Sequence, residues 1–172
     1  QAAAPAGLQY ALAKLDSKSA HNFATGHGAV IAVIDTGIDG SHPDLTGSAI
    51  EAYDAVGGGD QTPGTHGTAI AGLIAGRGVV RGLAPDTKLL GVRAFPAAKG
   101  STGLSNTYVL LKGIDWSLAR AARVLNLSFA GPRDSLVEQA VVTAKAKGAI
   151  IVAAAGLLAG LTPEQLYHLA TA

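Results

Sequence analysis

The stretch Ala29-Val30-Ile31-Ala32-Val33-Ile34-Asp35-Thr36-Gly37-Ile38-Asp39 decides the fold of this chain. It begins with an apolar run rich in β-branched residues, which is typical of a strand buried on both faces. Asp35 follows the run directly, and Gly37 permits a sharp turn after it. The stretch therefore predicts one strand of a parallel sheet, with a carboxylate at its C-terminal end.

Other elements follow from the same kind of pattern. Three further apolar runs predict strands: Lys88–Phe95, Ala122–Phe129 and Ala149–Ala155. Helical periods predict helices over Thr68–Ala75, Ser105–Arg120, Asp134–Lys147 and the C-terminal Leu161–Ala172. Alternating strands and helices predict right-handed crossovers around a mostly parallel sheet. We therefore expect a three-layer α/β fold with helices on both faces, and a ligand site outside the C-terminal strand ends.

The composition indicates one folded domain over residues 1–172, because 48% of them are hydrophobic and 15% are charged. The formal net charge is +1, and no run of basic residues is longer than a pair. Both observations argue against nucleic acid and anionic membranes as partners. No apolar stretch reaches the roughly 18 residues of a membrane span. The absence of Cys excludes disulfides and thiol nucleophiles. The chain also has no Met, so we expect a processed product or an excerpt.

Two residues are the first candidates for chemistry. Asp35 is a carboxylate at the end of a buried strand, where partial desolvation makes a partner necessary. His66 opens the stretch His66–Gly72, in which two glycines and Ala71 allow a helix to pack closely against other backbone. A His at the start of such a helix is well placed to be held against one fixed neighbour. Taken alone, each residue also has an ordinary alternative: a strand-end Asp is often a turn or cap residue, and a single His is usually structural.

Three segments, Val33–Asp39, Ser41–Leu45 and His66–Gly72, together resemble the subtilisin family of serine proteases. The resemblance continues through Gly82–Pro85, Gly113–Trp116, Val124–Ser128 and Gly148–Gly156, and so covers nearly all of residues 1–156. It implies a serine endopeptidase in which Asp35 orients His66 and His66 is the general base. On this resemblance we expect Asp35 and His66 to be hydrogen-bonded at the sheet edge. It also implies a secreted monomer with a propeptide.

The resemblance further implies a cleft for a polypeptide substrate or inhibitor in an extended conformation. The cleft would be lined by Gly100, Ser101, Thr102 and Gly103, by Leu127, Ser128, Phe129 and Ala130, and by Ala153, Ala154, Ala155 and Gly156. The last four would surround the side chain before the scissile bond, and their small size leaves room for a large apolar group. Where the family has Leu-Gly-Gly, this chain has Phe129-Ala130-Gly131, so we expect a narrower pocket floor.

The sequence departs from the family after Gly156. Family members continue with an Asn that donates to the oxyanion, and later with Gly-Thr-Ser, which carries the nucleophile. Here Leu157 follows Gly156, and Gly-Thr-Ser is absent. We therefore expect an internal deletion at the 156/157 junction, an incomplete domain, and no proteolytic activity of this chain alone.

The sequence predicts no metal site and no cofactor. Asp44 matches a calcium ligand of many family members, but the loop Gly76–Arg81 that would complete the site offers two Arg and no Asn or Asp. Reading Asp35-Thr36-Gly37 as an aspartic-protease triplet fails, because that fold is all-β. A phosphatase of the haloacid dehalogenase type, with Asp35 as nucleophile, needs a second Asp at position 37. This reading fails because that residue is Gly37. A non-catalytic or engineered deletion form that keeps the fold and the cleft stays open as an alternative.

Overall fold

The computed structural model describes residues 9–96 and 104–154 of the chain. Residues Gly100–Gly103, Ala155, Gly156, the 156/157 junction and the helix expected over Leu161–Ala172 lie outside the described residues. The expectations for those positions therefore stay predictions. No helix in the described ranges is both long enough and apolar enough to cross a membrane.

Five parallel strands form one sheet in the order β2-β3-β1-β4-β5. The strands are β1 (Val30–Asp35), β2 (Ala49–Asp54), β3 (Lys88–Arg93), β4 (Val124–Leu127) and β5 (Ile150–Ala153). The helices are α1 (Tyr10–Lys14), α2 (Ser17–Ala20), α3 (Thr65–Ala75), α4 (Thr107–Ala119) and α5 (Ser135–Ala146), with a single 3-10 turn at Pro43–Leu45 in the described ranges. The expected α/β class is confirmed.

The central strand β1 explains why helices are needed on both faces of the sheet. Its successive side chains point to opposite faces, and Val33 and Ile34 are both fully buried. Ile34 packs in a core with α4 and α5, whereas Val33 packs in a second core with α3. The three expected layers are therefore present.

The connections between strands differ in hand. The crossovers β2-α3-β3, β3-α4-β4 and β4-α5-β5 all step in the same direction across the sheet. However, α3 lies on the opposite face from α4 and α5. The α3 crossover therefore has the opposite hand to the other two, and the expectation that all crossovers are right-handed is wrong. Since right-handed connections are strongly favoured, we assign the unusual hand to α3.

Strand β2 is absent from the sequence-based expectation because it lies at the edge of the sheet. Its sequence, Ala49-Ile50-Glu51-Ala52-Tyr53-Asp54, contains no continuous apolar run, and none of its residues is fully buried. An edge strand has one free edge and needs fewer apolar side chains. The stacking of Tyr53 on Trp116, with ring centroids 4.9 Å apart, attaches this edge to α4.

Helix α3 approaches β1 so closely that one position must be glycine. A Cβ added at Gly67 would overlap the carbonyl oxygen of Gly37 and would lie 3.2 Å from Oδ1 of Asp35. By contrast, a Cβ at Gly72 would meet its nearest neighbour, Cγ1 of Val80, at 3.8 Å, an ordinary contact. A close backbone contact therefore requires glycine at position 67 but not at position 72.

We predict that Gly67→Ala lowers the free energy of unfolding by about 3 kcal/mol, because the added methyl group forces helix and strand apart. Gly72→Ala is the matched control and should stabilise the protein by up to about 1 kcal/mol, because Ala is the better helix former. Urea unfolding of the two variants measures the difference. Equal stabilities would contradict the close contact at Gly67.

Candidate active site

Asp35 is the last residue of β1 and lies at the carboxyl edge of the sheet. Only 2% of this residue is exposed. Its Oδ1 accepts hydrogen bonds from the backbone N–H of Thr36 at 2.7 Å and from the Thr36 hydroxyl at 3.1 Å. These donors offset part of the cost of burying a carboxylate.

His66 is the second residue of α3 and contacts the same carboxylate. Its Nδ1 lies 2.9 Å from both Oδ1 and Oδ2 of Asp35. An ionised carboxylate can only accept, so Nδ1 carries the proton and donates it. The neutral ring then keeps Nε2 as a proton acceptor, and 61% of the side chain is exposed. The structure thus brings the two expected residues together. Asp35 holds the imidazole of His66 in place, and the exposed ring can act as a base through Nε2.

Thr36 fixes the start of α3 beside Asp35. Its carbonyl oxygen accepts from the N–H of Gly64 at 2.9 Å, and its hydroxyl accepts from the N–H of Gly67 at 3.2 Å. These bonds satisfy backbone donors in the first turn of the helix, which have no partner within the helix itself. They also place His66, which lies between the two glycines, against the end of β1.

A buried ion pair supports the segment that leads to α3. Arg93 ends β3 beside Asp35, is 4% exposed, and donates through Nη2 to Asp54 at 2.8 Å. Burial would raise the pKa of Asp54, but the hydrogen bonds from Arg93 and Gly57 outweigh it and hold this pKa below its ordinary value. Sequence reasoning missed this pair, because β2 was not predicted.

An apolar cavity of about 280 Å³ opens on the α4–α5 side of the sheet edge. We call it the Phe129 cavity; its walls include Phe95, Leu110, Phe129, Ala130, Gly131 and Val137. The rings of Phe95 and Phe129 contact each other with centroids 5.0 Å apart. Two residues of the expected cleft, Phe129 and Ala130, therefore line a real cavity.

The other expected cleft residues within the described ranges differ in exposure. Ser128 is half-buried, and its Oγ accepts a hydrogen bond from the Asn126 amide at 2.7 Å. Leu127 is fully buried, and its carbonyl oxygen accepts from the N–H of Ala154. The structure therefore leaves Leu127 no free surface for a peptide, because its side chain completes the core. Ala153 is half-buried at the end of β5, and Ala154 after it is exposed.

Asp44 lies on the α3 side and is engaged by protein groups. Its Oδ1 accepts from the N–H of Val80 at 3.1 Å, and its Oδ2 lies 4.0 Å from Nδ1 of His42. Within residues 9–96 and 104–154, no three His, Asp or Glu side chains form a group that could hold a metal ion.

A model of the subtilase family matches residues 26–158, which include every element from β1 to β5. The chain belongs to the subtilase family. The resemblance to subtilisin-like serine proteases is thereby confirmed.

The relatives of this subtilase are considerably longer than the chain itself. Thermitase of Thermoactinomyces vulgaris is 34% identical over 164 residues, covering 91% of this chain and 57% of thermitase. The thermophilic serine proteinase of Bacillus sp. strain AK1 is 40% identical over 137 residues, covering 75% of this chain and 33% of the relative. The crystal structure of fervidolysin from Fervidobacterium pennivorans, a keratinolytic enzyme related to subtilisin, superimposes with a TM-score of 0.67 at 32% identity, covering 79% of this chain and 22% of fervidolysin. The chain thus spans little more than half of thermitase and less of the others.

We predict that Asp35→Asn changes the tautomer of His66. The amide of Asn can donate to Nδ1, which moves the ring proton to Nε2 and removes the free acceptor. The ¹⁵N chemical shifts of the two ring nitrogens report the tautomer. Asp39→Asn is the control, since Asp39 bonds to Ser41 and not to His66. An unchanged ring proton in Asp35→Asn would contradict the assigned hydrogen bond.

We predict that Asp54→Asn costs about 3 kcal/mol in unfolding free energy, because Arg93 is left buried without its counter-charge. The lowered pKa of Asp54 adds stability above the unfolded value of 3.8, and this stability is lost as the pH falls through the folded pKa. Unfolding measured across this acid range should therefore depend less on pH in the variant. Asp115→Asn, on the exposed face of α4, is the control for the loss of one carboxylate.

Proposed function

We propose that this chain forms part of the catalytic domain of a serine endopeptidase, with Asp35 and His66 as two members of an Asp-His-Ser triad. The observation that carries this proposal is the hydrogen bond between a buried carboxylate and an accessible imidazole at the carboxyl edge of the sheet. The peptide-bond hydrolysis implied by the relatives' names supplies the reaction class.

The roles of the two residues follow from their geometry. Asp35 holds the Nδ1–H of His66, so Nε2 can take the proton from a nucleophilic hydroxyl. When the ring becomes imidazolium, the adjacent carboxylate stabilises the new charge. Asp35 keeps its acceptor role throughout, because Thr36 donates two further hydrogen bonds to it.

The proposed substrate is an extended polypeptide that crosses the sheet edge. The Phe129 cavity offers an apolar site for one of its side chains, and Ser128–Gly131 extend beyond β4 where a peptide backbone could pair. Gly100–Gly103 and Ala153–Gly156 complete the cleft in this proposal. It involves no metal, cofactor, nucleic acid or membrane.

We propose that the nucleophile is not in this chain. Within the described residues, the side chain of His66 makes hydrogen bonds only to Asp35. The hydroxyl of Ser128 lies at the end of β4 and pairs with Asn126. An internal deletion at the 156/157 junction would remove the Ser together with the oxyanion Asn, since the chain spans only part of its relatives.

A second candidate function is a non-catalytic form that keeps the fold and binds peptides. The same hydrogen-bonding pattern of His66 and Ser128 favours it, because a cleft without a nucleophile can still bind. For the protease form, we propose secretion, a monomeric state and a propeptide. MycP1 is a structural neighbour at 30% identity, with a TM-score of 0.64. The aligned region covers 85% of this chain and 49% of the MycP1 chain, and MycP1 was crystallised with its N-terminal propeptide removed.

We predict that a fluorophosphonate probe does not label the 172-residue chain, because among the described residues the side chain of His66 makes hydrogen bonds only to Asp35 and to no Ser. Intact mass spectrometry detects the adduct and also verifies that the polypeptide has the mass expected from its sequence. Stoichiometric labelling that disappears in His66→Ala would show a nucleophile within this chain. Labelling mapped to Ser128 would identify that hydroxyl as the nucleophile.

A further inference from the structure

A second cavity lies on the opposite face of the sheet edge from the Phe129 cavity. It has a volume of about 480 Å³ and is bounded by the first turns of α3. We call it the α3 cavity. Ala69, Leu73 and Val80 form its apolar wall, and Asp39, His42 and Asp44 form its polar rim.

The α3 cavity adjoins the catalytic pair. Thr65, the residue that precedes His66 in the sequence, lines the cavity. Ala69 and Leu73 also line it, and they follow His66 by three and seven positions. Residues at these spacings share one side of a helix. The α3 cavity therefore lies along the same side of α3 as the exposed imidazole.

The rim of the α3 cavity is acidic. The pKa of Asp39 is held below its ordinary value, chiefly by the hydroxyl and the backbone N–H of Ser41. Asp44 is the second carboxylate, and His42 is the only nearby basic group on the rim. The guanidinium of Arg77, in the loop that also contacts Asp44, is paired with Asp86 and does not neutralise the rim.

We propose that the α3 cavity binds a basic side chain of the peptide, Lys above all, from the part of the substrate that follows the scissile bond. This inference rests on the proposed function, which places the preceding part at Ser128–Gly131 and the Phe129 cavity. A Lys side chain suits the cavity because its methylene stem packs on Ala69 and Leu73 while its ammonium group reaches the carboxylates.

The chemistry of the rim disfavours an acidic side chain, a calcium ion or a purely apolar side chain in the α3 cavity. An acidic side chain would be repelled by Asp39 and Asp44. A calcium ion needs six to eight oxygen ligands, whereas Oδ1 of Asp39 and Oδ1 of Asp44 already accept hydrogen bonds from Ser41 and Val80. A purely apolar side chain would fill the wall and leave the carboxylates unpaired.

The test compares three fluorescent extended peptides that differ at one residue, which is Lys, norleucine or Glu. The varied residue is placed in turn at the first, second and third position after the scissile bond. Fluorescence anisotropy measures Kd for the 172-residue protein with EDTA present. At one of these positions we expect the Lys peptide to bind about threefold more tightly than the norleucine peptide, and high salt should reduce this preference.

Asp39→Asn should remove the preference for Lys. Asp60→Asn is the matched control: Asp60 accepts from the N–H and hydroxyl of Thr62 just as Asp39 accepts from Ser41, but it does not line the cavity. Ala69 is exposed on α3, so Ala69→Leu should fill part of the cavity. This variant should weaken binding of the Lys and norleucine peptides alike. Loss of the preference in Asp60→Asn as well would overturn the assignment to the α3 cavity.

Failure of this inference can be told apart from failure of the proposed function. Tight binding of all three peptides with equal Kd values would overturn the inference and leave the peptide cleft intact. If no peptide binds, NMR with Nα-acetyl-lysine methylamide decides. Shifts of the Ala69 and Val80 amide signals, absent with the norleucine analogue, would support the basic site although the peptide cleft had failed. Unchanged signals would overturn both.

Discussion

The contact between Gly67 of α3 and the carbonyl oxygen of Gly37 after β1 is the constraint on which the site depends. Without a Cβ at position 67, helix and strand approach until Thr36 can bond to the first turn of α3. That approach brings the imidazole of His66 within hydrogen-bond distance of Asp35. The α3 cavity lies beside the N-terminal half of the same helix. The absence of a methyl group at position 67 thus allows the hydrogen bond between Asp35 and His66.

The charged residues around this edge differ in burial and in their partners. Arg93 and Asp54 are paired in the interior and brace the segment before α3. Asp35 is buried but receives donors from Thr36 and His66. The carboxylate of Asp39, on the rim of the α3 cavity, accepts hydrogen bonds from Ser41 through Oδ1, while its second oxygen accepts none from the described residues. Carboxylates close together in sequence therefore differ in what they can bind.

Residues with unusual local patterns were predictable from the sequence. The apolar run before Asp35 and the glycines around His66 predict a strand end and a close-packed helix start, and the resemblance to subtilisins pairs the two side chains. The boundaries of β1 and α5 agree closely with the patterns. The hand of the α3 crossover was not predictable, because it depends on which face the helix covers. The α3 cavity was equally hidden, since its walls come from segments far apart in the chain and none of them has a distinctive composition.

The unusual hand of the α3 crossover has a consequence for the order of folding. The other two crossovers have the favoured hand, and β4-α5-β5 joins neighbouring strands of the sheet, so this unit can assemble early. The β2-α3-β3 unit gains no such preference of hand, and its helix is held by contacts with β1 and the 3-10 turn as well as with β3. We therefore expect α3 to dock late, on a sheet that already exists. The acid and base would then meet only in a nearly native molecule, so a partly folded chain carries no assembled pair.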